Sequence, residues 1–114
     1  MKDFFKLRDN FALYKEVESI VIIDNGEIGA KYTFAIPTYK RSSDLDYAIQ
    51  SVINQVGDIP YNILVVDNNP VRNDETEILM KKYASIKNLK YYKNTHNIGM
   101  TGNWNRLFSL CHTP

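Results

Sequence analysis

From residue 32 onward, short β-branched runs alternate with longer segments of helical spacing, and this alternation restricts the possible folds more than any other feature. Three strand-then-helix units follow one another, separated by loops rich in Asn, Asp, Pro and Gly. Strands joined in series through helices run parallel and are linked by right-handed crossovers. The expected class is therefore α/β, a Rossmann-like three-layer βαβαβα arrangement.

The first strand spans Tyr32 to Pro37, apolar on both faces toward its end, as a strand covered by helices on both sides requires. Ser43, with Asp46 three residues on, predicts a helix start, and Leu45, Ala48, Ile49, Val52, Ile53 and Val56 follow at helical spacing up to Gly57. The second strand, Asn62 to Asp67, is a continuous apolar run closed by an acid. Its helix is announced by Asp74 with Glu77 and turns Ile78, Leu79, Tyr83 and Ile86 inward. The third strand, Leu89 to Lys93, alternates as an edge strand would, and a third helix from near Gly102 carries Trp104, Leu107, Phe108 and Cys111 on one core-facing stripe.

Two crossovers in the same direction give the parallel order 3-2-1, which leaves one edge of the first strand without a partner. Residues 1–31 form an N-terminal extension and residues 32–114 the βα domain. Within the extension, Asn10 to Ile20 predicts a helix. Ile20 to Ile23 followed by Asp24-Asn25-Gly26 predicts a strand entering a hairpin turn, a candidate cover for the open edge.

A composition with 44% hydrophobic and 24% charged residues is that of an ordinary globular chain that can bury a core. A net charge of +1 argues against a nucleic-acid partner. The single cysteine, Cys111, makes no internal disulfide and has no neighbours at zinc-ligand spacing, so a reducing, cytoplasmic compartment is the expectation. The opening MKDFFKLRDN carries charges where a signal peptide needs an apolar core, and no stretch has the length of a membrane span.

Open parallel sheets bind ligands at the carboxyl ends of their strands. There the chain places Pro37-Thr38-Tyr39-Lys40-Arg41, then Asp67-Asn68-Asn69-Pro70 with Arg72, then Asn94 to Gly99 and Gly102 to Asn105. One rim would thus offer an aromatic ring, hydroxyls, a carboxylate, amides and two guanidinium groups. A uridine diphosphate group asks for such a set: a ring to stack the base, an acceptor for its N–H, and cations with helix-terminal N–H groups for the phosphates. Tyr39 could stack the base and Asp67 accept from it, with Arg41 and Arg72 reaching phosphate or ribose oxygens. Each residue also has a structural reading. Tyr39 could pack on Ile36 or the first helix, Asp67 could cap its turn, and Asn97 and Gly99 could simply make a turn of positive φ. His96 reads as an exposed loop residue, Trp104 as core, Cys111 as a small buried hydrophobe, and Asp44 and Asp46 as acids favoured by a helix dipole.

In order and spacing, AIPTYKR, a helix with SVINQ, ILVVDNN and NIGMTGNWNR resemble the first half of the family 2 glycosyltransferases of the GT-A fold, over roughly residues 32 to 110. The resemblance implies a donor site for a nucleotide-diphospho-sugar, usually a UDP or dTDP sugar. In it Pro37, Thr38, Tyr39 and Asp67 cradle the nucleoside, with Asn97, Gly99 and Asn105 beneath the diphosphate. Arg41, Asn68 and Arg72 complete the expected nucleotide-sugar-binding set. Lys40 stands where many members carry Asn. The family's metal-binding Asp-x-Asp and its general base follow later than Cys111, so the resemblance implies Mg2+ or Mn2+ and a catalytic base for the complete enzyme but assigns neither to these residues. The chain reads as the donor-binding portion of an inverting transferase, inactive alone. Two other readings stand beside it. A receiver-like signalling module would need five βα units and an acidic pair after the first strand. An association domain would pair with itself through the open strand edge.

Overall fold

The computed structural model describes residues 17–25, 30, 32–55 and 60–111. Its elements are β1 (Ser19–Asp24), β2 (Tyr32–Thr38), α1 (Ser42–Gln55), β3 (Tyr61–Asp67), α2 (Glu75–Lys81), β4 (Leu89–Asn94) and α3 (Gly99–Leu110). They build a single four-stranded sheet in the order β1-β4-β3-β2. β2, β3 and β4 are parallel, as the alternation predicts, and carry the expected order. Such a mixed α/β sheet with helices on both faces is compatible with a partial GT-A domain.

β3 is the centre because its run of Ile63, Leu64, Val65 and Val66 has apolar atoms for both faces, and none of the four is more than 2% exposed. Ile63 and Val65 face α1 and α2 in a core with Leu45, Ile49, Met80, Tyr83, Leu89 and Tyr91. Leu64 and Val66 meet Leu107 of α3 on the other side.

Several elements depart from the sequence reading. Leu89 to Lys93 is not at the edge, because β1 pairs antiparallel with β4 and makes it internal. The alternation that suggested an edge comes from the half-buried Lys90, while Lys93, on the face of Leu89 and Tyr91, is fully buried on ionic partners. β1 thus lies on the opposite side of the sheet from the open edge it was expected to cover. Its ends explain the choice: Ser19 sits opposite Asn94 and Asp24 opposite Lys90, a hydroxyl against an amide and a carboxylate against an ammonium. Asn25 continues the attachment, donating its backbone N–H to Leu89 O and its side-chain amide to Ala84 O and Ile86 O. The outer edge of β2 has no strand neighbour among the described residues. Ser19 and Ile20 belong to the strand and Val17 and Glu18 to an irregular lead-in rather than to a helix, while Asn10 to Glu16 of the predicted helix and Gly26 of the turn lie outside the described residues.

Helix α1 starts at Ser42, one residue ahead of the expected cap, and closes its first turn through Leu45 N–H to Arg41 O. Val56 and Gly57 at its end lie outside the described residues. Asp74 caps α2 as predicted, its Oδ1 accepting from Glu77 N–H at 2.9 Å. That cap sets the rotation of a helix of only two turns, so Thr76, Met80 and Tyr83 turn inward at i, i+4 and i+7. Ile78 is exposed instead of buried. α3 begins at Gly99, a turn earlier than Gly102, and buries Asn103 and Leu107. Trp104 and Phe108, expected in the core, are exposed at 43% and 71% and lean on each other with ring centroids 6.2 Å apart. The hydrogen bonds of Asn103, described below, turn the helix this way.

Truncating Ile63, completely buried between β3 and the helices, should lower stability by about 2–5 kcal/mol. Phe108→Ala should change it by no more than about 0.5 kcal/mol. Urea denaturation of the two variants checks both the central strand and the corrected rotation of α3.

Candidate functional site

A cavity of about 660 Å³ opens at the carboxyl ends of β2 and β3, between the start of α1 and the start of α3. β2 delivers Pro37, Thr38 and Tyr39 to it, and the turn into α1 delivers Arg41 and Asp44. Asn68 enters from the end of β3, and Asn97, Gly99, Met100, Asn103 and Trp104 from the last loop and the first turns of α3. Three consecutive loops meet on one rim because the parallel sheet carries every strand end to the same side.

Seven of the ten residues expected from sequence come together here: Pro37, Thr38, Tyr39, Arg41, Asn68, Asn97 and Gly99. Tyr39 is 41% exposed, and the Lys40 ammonium lies 5.3 Å from its ring centroid. Lys40 has φ 53°, in the left-handed region where Asn is the favoured residue after glycine, which gives the family's common Asn at this position a backbone reason. A lysine there carries a strain of about 1–3 kcal/mol. Gly99 has φ 75°, the positive φ anticipated for this turn. At Gly102 a Cβ would come within 3.0 Å of Ile98, so glycine lets the helix start close over that residue.

Asp67, Arg72 and Asn105 do not line the cavity. Asp67 is fully buried on the opposite side of the sheet end. Its Oδ1 accepts from Asn69 N–H at 3.0 Å, and its Oδ2 accepts from the Tyr91 hydroxyl at 2.8 Å and from Lys93 Nζ at 2.9 Å. Lys93 also donates to Asn69 O at 2.8 Å and faces Asp74 Oδ1 at 3.2 Å. Burial, reinforced by the charge of Asp67, pushes the Tyr91 phenol far above its ordinary range, so it stays a neutral donor to that carboxylate. Arg72 is bound to Glu77 through Nε at 2.7 Å, and this hydrogen bond holds the Glu77 carboxyl below the ordinary value of 4.5. Asn105 is half-buried, and Asn103, two residues earlier, takes the place at the cavity. The signal for Asn103 was present in its i, i+4 spacing from Leu107, which puts an amide on the buried face. His96 is exposed, as expected.

Among the described residues there is no group of three or more His, Cys, Asp or Glu side chains able to hold a metal ion. Asp44 is the one carboxylate among the residues named around the cavity. The described residues around the cavity thus do not make up a ligand set for the Mg2+ or Mn2+ that the resemblance implies for a complete transferase.

Lys93→Met should destabilise the fold by about 3–5 kcal/mol because it strands the Asp67 charge in the interior. Adding Asp67→Asn should recover much of the loss, and urea denaturation of the single and double variants measures it. The depressed Glu77 carboxyl predicts a pH effect of definite sign. Its contribution is complete above the ordinary 4.5 and is lost as the pH falls below it and through the lower folded value. Urea midpoints at neutral and acid pH should therefore fall less steeply in Glu77→Gln.

The model of the family described as glycosyl transferase family 2 matches residues 33–114, from β2 through α3 and more than two thirds of the chain. No curated protein and no solved structure matches the chain. No described helix is long and apolar enough to cross a membrane. With the parallel βα units, the loop cluster and this match in agreement, the chain belongs to glycosyl transferase family 2.

Proposed function

We propose that the cavity is the nucleotide part of a donor site, taking the nucleoside diphosphate of a nucleotide sugar, with a UDP sugar as the best fit. The observation that carries this reading is the meeting of an exposed aromatic ring, a guanidinium and a helix start on one rim at the carboxyl ends of parallel strands. Tyr39 stacks the base. Arg41 and the first turn of α3 face the diphosphate, where a cation and the positive end of a helix dipole favour negative charge. Asn68 and Asn97 supply polar contacts between these two ends. Pro37 and Thr38 form the floor, held in place by Thr38 O accepting from Asn68 N–H at 2.9 Å.

In a complete inverting transferase the acceptor oxygen bonds to the anomeric carbon as the bond from that carbon to the diphosphate breaks, and the acceptor proton passes to a base. Charge then builds on the departing diphosphate. Among the described residues that line the cavity, Arg41 is the one that can meet that charge with a full positive one. Binding of the nucleotide is therefore the role proposed for these residues.

The reading is tested by titrating UDP into the isotopically labelled chain and following backbone amide shifts. Shifts should concentrate at residues 37–41, 68 and 97–103. Uridine alone should move the Tyr39 region, and inorganic diphosphate the Arg41 and Gly99 regions. Tyr39→Ala should weaken UDP binding by about 1–3 kcal/mol, the range for a base stacked on an aromatic ring. No shifts at millimolar ligand, or shifts confined to other surfaces, would overturn it.

A further inference from the structure

An asparagine amide can be turned end for end with little change of shape. A chain of asparagines therefore has a direction only when its ends are groups unable to exchange donor for acceptor. Behind the cavity, three buried asparagines form such a chain. Asn94 Nδ2 donates to Oδ1 of Asn68 and to Oδ1 of Asn103, both at 2.9 Å. Asn103 Nδ2 then donates to the backbone carbonyl of Val66 at 3.1 Å, a group that only accepts. Asn68 Oδ1 also accepts from the backbone N–H of Ile98 at 3.0 Å, a group that only donates. On the far side, Asn94 Oδ1 accepts from the Ser19 hydroxyl at 2.6 Å. That hydroxyl in turn accepts from the Arg106 guanidinium, which only donates and is also held by Val17 O.

Asn68 and Asn103 are thus each oriented by a backbone group that cannot reverse, and Asn94 is held between those two amides and the Ser19 hydroxyl. With Oδ1 of Asn68 occupied from behind, its NH2 group points to the rim and donates to Asn97 Oδ1 at 2.7 Å and Gly99 O at 3.3 Å. Asn97 Oδ1 accepts a second bond, from Gly99 N–H at 2.8 Å. With its oxygen engaged twice, the exposed Asn97 keeps its NH2 for the cavity that Arg41 also lines.

We propose that Asn94, bonded on its far side to Ser19 and through it to Arg106, is a positioning residue that turns the Asn97 amide of the cavity rim with its NH2 outward. That corner of the rim then donates to ligand oxygens, whether of a diphosphate or of a base carbonyl. Asn94, Ser19 and Arg106 do not line the cavity. The ligand side of this inference rests on the nucleotide reading above, while the orientation of the rim stands on its own.

The test uses Asn94→Asp and Ser19→Ala. An aspartate at 94 presents only acceptors to Asn68 and forces that amide to turn, which strips Ile98 N–H of its partner. Ser19→Ala is the milder change and decides the matter if Asn94→Asp does not fold. Asn25→Ala, which loses the bonds to Ala84 O and Ile86 O, is the control for lost stability without a change in the relay. In the free chain, hydrogen exchange at Ile98 and Gly99 should speed up by about five- to tenfold in Asn94→Asp and by a few-fold in Ser19→Ala, beyond the change in the control. Inorganic diphosphate and uridine, titrated separately, show which ligand oxygens the rim takes. Affinity for that probe should fall about tenfold in both variants and stay unchanged in Asn25→Ala. Exchange at Ile98 and Gly99 no faster than in the control would overturn the proposal. If the unaltered chain takes up neither probe, the nucleotide reading fails, and the exchange comparison still decides whether the relay orients the rim.

Discussion

The carboxyl end of β4 buries an ammonium and an amide on consecutive residues, and the rest of the site is arranged around that constraint. Lys93 and Asn94 point to opposite faces of the sheet, and both are essentially inaccessible. A buried ammonium left alone would cost several kcal/mol, so one face must provide acceptors. Asp67, Asn69 O and Asp74 provide them, and Asp74 at the same time caps α2. The loop from β3 to α2 is therefore organised to hold a lysine. On the other face a buried amide needs partners for both of its ends, and Asn68, Asn103 and Ser19 supply them. Asn68 owes its place at the cavity to this second arrangement, and Asp67 its absence from the cavity to the first.

This division marks what could be read from the chain alone. Parallel order, the central position of β3, the buried stripe of α1 and the cap at Asp74 follow from apolar periodicity and local side-chain chemistry, which a single sequence displays. The loops around the cavity were legible for the same reason, since a parallel sheet sends successive strand ends to one side. Buried polar residues were not legible, because Lys93, Asn94 and Asn103 score as surface in any hydropathy pattern while their partners lie far along the chain. Asp67 has the position of a ligand at a strand end, but the Tyr91 and Lys93 that claim it are 24 and 26 residues away. The rotations of α2 and α3 depart from their apolar stripes on the same ground. A cap in one case and an internal amide in the other override the greasiest stripe, leaving Ile78, Trp104 and Phe108 outside.

Charge pairing also defines the site. Lys93 and Arg72 are neutralised by carboxylates within a few ångströms, as is Lys82 by Asp46. Tyr83 and Lys82 together hold the Asp46 carboxyl below its ordinary value and tie α2 to α1. Arg41 stands apart from these pairs at the mouth of the cavity.

The pairing of β1 with β4 also bears on the order in which the molecule is assembled. Ser19 and Asn94 are 75 residues apart, whereas β2, β3 and β4 meet through successive short crossovers. Loop-closure entropy therefore favours prior formation of the parallel unit, with β1 docking onto it afterwards. The hydroxyl that orients Asn94 arrives with that strand. On this route the main chain around the cavity and the backbone partners of Asn68 and Asn103 are in place first, and the far side of Asn94 is the last to be covered.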